Sequence, residues 1–133
     1  MTKGKDMKYM LLIYLDEKAL SEAERRQCYK ESTAYAHELS ANGQFLATAP
    51  LHPTSTATSV RTRDGKPLVT DGPFAETREQ LGGFFLVDAK NLDEAISIAS
   101  KIPAGKWGTV EIRPVIEVEG LPESPRKGRG VVS

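Results

Sequence analysis

The chain has 133 residues and 14.6 kDa, with 18 Lys and Arg against 18 Asp and Glu, 39% hydrophobic residues and one cysteine. That is the length of one domain, large enough to bury a core without a disulfide or metal, and Cys28, His37 and His52 make no zinc or iron–sulfur pattern, so no metal and no cofactor is expected. Balanced charge argues against bulk attraction to nucleic acid or anionic membrane, no apolar run approaches the roughly 20 residues of a bilayer span, and the opening MTKGKD lacks the apolar stretch of a signal peptide; the expectation is a soluble cytoplasmic domain.

Met7 to Leu15 is a nearly continuous apolar run and reads as a buried strand. Ser21 with Glu24 has capping-box spacing and opens a helix whose inner stripe is Cys28, Ser32, Tyr35, Ala36 and Leu39, and Asn42-Gly43 stops it. A strand over 44–49 follows. Beyond Pro50 and Pro53, residues 58–63 and 66–70 flank Asp64-Gly65, a two-residue hairpin turn that reads as an insert. Thr77 and Gln80 lie in capping-box spacing and suggest one helical turn, and 82–88 is another strand apolar on both faces. Asn91 and Glu94 start a second helix with Leu92, Ala95, Ile96, Ala99 and Ile102 inward, and Pro103 ends it. The last strand spans 109–118.

Without the insert the order is β-α-β-β-α-β, so the fold expected is α+β and ferredoxin-like, with two helices on one face of a four-stranded antiparallel sheet. The first strand and the one at Phe84 are apolar on both faces, yet the helices cover one. A homodimer through the open face is therefore expected, the alternative being that the inserted hairpin folds back over its own sheet. The tail from Leu121 to Ser133 is rich in Pro, Gly and basic residues without periodicity and is expected to be mobile.

The segment DGPFAETREQLGGF, from Asp71 to Phe84, together with YMLLIY at Tyr9 to Tyr14, RTRDG at Arg61 to Gly65, LDEA at Leu92 to Ala95 and VEIRPV at Val110 to Val115, resembles the DGPF-type branch of the YCII-related family. The resemblance covers residues 7–120. It implies a dimeric α+β barrel, a cleft between sheet and partner that takes small molecules, and in some relatives a link to sigma factors. A better-studied branch implies an acid–base pair, a His on the first helix and an Asp elsewhere. Counting back from Gly43 puts the His position at about Ser32, and the Asp position falls near Ile102-Pro103, so that pair does not transfer.

Asp71 is the best acid–base candidate, a loop carboxylate beside an apolar cleft. The alternative is that it caps its turn while Gly72 supplies an unusual φ, Pro73 fixes the next and Phe74 plugs the core. His52, between two prolines, is a second catalytic candidate if its loop overhangs the cleft. Glu76 and Arg78 are candidates for the cleft mouth, against an ordinary solvated face. Arg61 and Arg113 would bind a carboxylate or phosphate if they point inward, against edge-strand charge that resists aggregation. Two functions remain open: a metal-independent enzyme acting on a small polar or anionic molecule, and a non-catalytic dimeric module that binds a ligand or a signalling partner.

Overall fold

A computed structural model describes residues 6–122. The chain runs β1 (Met7–Leu15), a 3-10 turn (Glu17–Ala19), α1 (Glu22–Ala41), β2 (Phe45–Pro50), a 3-10 turn (Thr54–Thr56), β3 (Thr58–Arg63) and β4 (Lys66–Asp71). It continues with β5 (Gln80–Ala89), α2 (Leu92–Ser100), a 3-10 turn (Pro103–Trp107) and β6 (Gly108–Pro114). Of the expected mobile tail, everything from residue 123 onward lies outside the described residues.

Four strands form one antiparallel sheet in the order β2-β5-β1-β6, and β3 and β4 form a separate two-stranded sheet. The result is an α+β architecture compatible with the ferredoxin-like fold. Alternation sorts the central strands: Tyr9, Leu11 and Ile13 of β1 and Phe85, Val87 and Ala89 of β5 are buried, and they share a core with residues of both helices. Leu11 stands opposite Phe85 on one side and Ile112 on the other, which puts the centre of the core over the middle of the sheet.

The helix ends form for the reasons the sequence carries. The Ser21 hydroxyl accepts from the Glu24 amide at 3.1 Å while the Glu24 carboxylate accepts from the Ser21 amide at 2.8 Å. At the other end of α1, Gly43 takes φ +74°, its amide donating to Ser40 and the Gln44 amide donating back to Leu39. The Asn91 side chain accepts from the Glu94 amide at 2.9 Å. The Tyr35 hydroxyl joins the helices by donating to the Ile98 carbonyl at 2.8 Å, its ring tilted against Phe85 at 6.0 Å.

Four local expectations change. Ile98 is buried with Ala95, Ala99 and Ile102, while Leu92 and Ile96 are half exposed: the small Ala95 and Ala99 meet the core, and that turns Ile96 outward. No helical turn forms between Glu76 and Glu79, because the Thr77 hydroxyl donates to the Glu79 carbonyl and the Gln80 side chain to the Thr77 carbonyl, closing a local loop instead. β6 ends at Pro114, short of the expected 118, and one further ladder bond follows it, the Val115 amide donating to the Lys8 carbonyl at 2.9 Å. Phe74 does not plug the core; it is 80% exposed.

Candidate ligand cavity

Three sets of small residues leave a gap between α1 and the end of the sheet. On β5, Gly83 sits opposite Ile13 on the helix-covered face, where Phe85 two positions on supplies a whole ring and Gly83 supplies nothing. It has to be glycine, because a Cβ there would lie 2.9 Å from the Ala49 carbonyl oxygen of β2. Above it α1 presents Cys28 and Ser32, and Ala104 closes the side. The gap is a cavity of about 130 Å³, partly open to solvent, walled mainly by apolar groups such as Ile13, Leu15, Leu20, Leu51 and Phe85.

Its polar groups come from α1 and the connections beside it. Arg25, Cys28, Tyr29 and Ser32 recur at three, four and seven residues, so they share one face of α1, and all line the cavity. Burial pushes the Cys28 thiol up, with Ser32, Lys106 and Arg25 only partly opposing it, so the thiol stays protonated near neutrality. Glu17 also lines the cavity, but its carboxylate accepts from the Thr54 amide at 2.9 Å and the Thr54 hydroxyl at 2.8 Å. That clamp ties the β1–α1 connection to the loop after β2. Arg25 donates to the Glu17 carbonyl at 3.4 Å, a long bond. The Thr48 hydroxyl is spent on the Phe84 carbonyl at 2.7 Å.

The residues singled out from sequence lie elsewhere. Asp71 is exposed at the end of β4, and next to it Gly72, at φ +108°, donates to the Ala57 carbonyl at 2.7 Å and closes the neck of the hairpin. Arg61 lies over the Phe74 ring, 5.7 Å from its centroid. Glu76 is exposed, and Arg78 comes within 3.7 Å of Asp16. His52 is exposed, though its neighbours Leu51 and Pro53 line the cavity. Arg113 is on β6, 3.7 Å from Glu111. Arg25, Glu17 and Ser32 were not among the candidates. Ser32 was marked by the stripe of α1 and the gap by the Gly82-Gly83 pair in an otherwise bulky strand, while Glu17 and Arg25 carried no such signal.

The second feature is the face of the sheet that neither helix covers. Register places Met10, Leu12, Phe84 and Leu86 side by side at its centre, all half-buried, with Ala47 and Ala49 beyond them. Glu111 and Arg113 sit opposite Leu12 and Met10 and therefore share that face. Tyr14 belongs to it too, its phenol pushed up first by burial and then by the Glu111 carboxylate, which accepts from its hydroxyl. Among the described residues no group of three or more His, Cys, Asp and Glu is placed to hold a metal ion, and no helix is long and apolar enough to cross a membrane.

Comparison with known proteins matches the YCII-related domain over residues 7–119, nearly all of the described chain. An uncharacterized protein of Rhizobium meliloti (strain 1021) is 37% identical over 114 residues, which cover 82% of this chain and 92% of that protein.

Proposed function

Because this chain belongs to the family of YCII-related domains, we propose a function in its terms: a dimeric, non-catalytic binding protein of the cytoplasm that holds a small molecule between α1 and the β2–β5 edge. The cavity of about 130 Å³ carries this reading. Its size is close to that of an apolar cavity of ~150 Å³ known to take up benzene, so it suits a compact hydrocarbon body. Binding is favoured over catalysis because the reactive groups on its wall are quenched. Cys28 is held as a thiol and Glu17 is tied to Thr54 through both oxygens.

The dimer in this proposal is the α+β barrel in which two copies face each other through Met10, Leu12, Phe84 and Leu86. Glu111 and Arg113 lie together on that face, so a two-fold axis can set each against its opposite. Toluene titration followed by amide NMR tests the site. Shifts confined to Cys28, Ser32, Gly82 and Gly83 are expected, and shifts centred on the open face or the hairpin would move the site there. Sedimentation at micromolar concentration tests the dimer, with a species of single-chain mass removing it.

A further inference from the structure

Resting on the cavity reading above, we propose that Arg25 makes this site selective for small monocarboxylates, the carboxylate on the guanidinium and a compact apolar body in the cavity. Three observations lead there. Among the described residues no carboxylate lies within ion-pair distance of Arg25, and it is the one cationic side chain on the cavity wall. Arg25 is half-buried and lines the cavity. Its one hydrogen bond runs 3.4 Å to a carbonyl, leaving most of its five N–H donors for a ligand.

Glu17, whose main chain Arg25 touches, does not satisfy it with its side chain. Both oxygens of that carboxylate accept from Thr54, so Arg25 meets the main chain of Glu17 and not its acid. A planar fork of donors at the edge of an apolar chamber matches a ligand with two coplanar oxygens on a hydrocarbon. A phosphate monoester fits less well, because a dianion needs more donors than one arginine beside a fixed carboxylate supplies.

The test compares benzoate, benzamide, toluene and methyl phosphate by calorimetry and amide NMR on the full chain, with Arg25→Gln and Arg25→Lys variants. Benzoate is expected to bind at least about ten-fold more tightly than benzamide, as a charge-assisted pair requires. Arg25→Gln should erase that preference while toluene binding survives, and Arg25→Lys should restore part of it. Surviving toluene shifts also show that the variant is folded. Benzoate no tighter than benzamide, an unchanged preference in Arg25→Gln, or methyl phosphate equal to benzoate would each overturn the carboxylate assignment and leave the cavity reading standing. Failure of all four probes to perturb the cavity residues would overturn both.

Discussion

Replacing Ser32 by leucine tests whether the space under α1 is a void or a packed seam. An empty cavity costs about 24 cal/mol per Å³, so 130 Å³ corresponds to an upper limit of about 3 kcal/mol. Leucine fills only part of it, and a cavity open to solvent holds water that offsets some of the gain. We predict Ser32→Leu to be about 1 kcal/mol more stable than Ser32→Ala, which removes the hydroxyl beside Cys28 and fills nothing. For a domain of this size that is roughly 4 °C in Tm. Urea unfolding of both variants measures the difference, and toluene titration should show that the leucine variant no longer binds. A leucine variant less stable than the alanine variant would mean that the side chain met packed atoms, and the cavity argument would fail with it.

Three further outcomes follow from single contacts. Tyr35→Phe removes the bond to Ile98, whose carbonyl keeps the Lys101 amide as a donor, so the loss should be about 1 kcal/mol near neutrality. The Tyr35 phenol is pushed up to about 12, by burial first and then by Glu38. A raised folded value means that the unfolded chain ionises first as pH rises, so this contribution is complete below pH about 10 and is lost between about 10 and 12. The gap between wild type and variant should close across that window, and a constant gap from pH 9 to 12 would contradict the shift. Glu17→Ala removes both acceptors that hold Thr54, and amide exchange at Thr54 should quicken by about ten-fold or more; unchanged protection would show that the clamp is idle. Gly108→Ala would drive a Cβ into the Tyr14 carbonyl, so a loss of ~2 kcal/mol or more in chemical denaturation is expected, and near-wild-type stability would disprove the close approach.

The elements were legible where a few neighbouring residues determine them. Ser21 with Glu24 and Asn91 with Glu94 act within one turn, and Asp64-Gly65 takes its positive φ values locally, at 51° and 76°. The two-faced apolar pattern of β1 and β5 likewise marked the centre of the sheet. What escaped depends on distant partners. Ile96 and Ile98 both suit a helical stripe, and only the approach of Ala95 and Ala99 to the core decides between them. Thr77 and Gln80 are the local exception: their spacing suits a cap, but their side chains took backbone carbonyls two and three residues away. The cavity was hardest to read, since its void is a coincidence of Gly83, Ser32, Cys28 and Ala104 that no single window of sequence contains. Arg25 carries no mark in the sequence, since its place on the cavity wall depends on Glu17 and on the loop after β2.

The pairing of β1 also has a consequence for how the chain is made. Both ladder edges of this strand are claimed by β5 and β6, which follow α1, β2 and the hairpin in the chain. As the chain emerges from the ribosome, α1, β2 and the hairpin all appear while Leu11 still has neither Phe85 nor Ile112 beside it. This strongly apolar strand therefore waits unpaired until β5 and β6 have been made, with sticky faces and open edges that neighbouring nascent chains on a polysome could capture. Closing the sheet has to wait until β6 has been made, and every contact in the centre of the core depends on it.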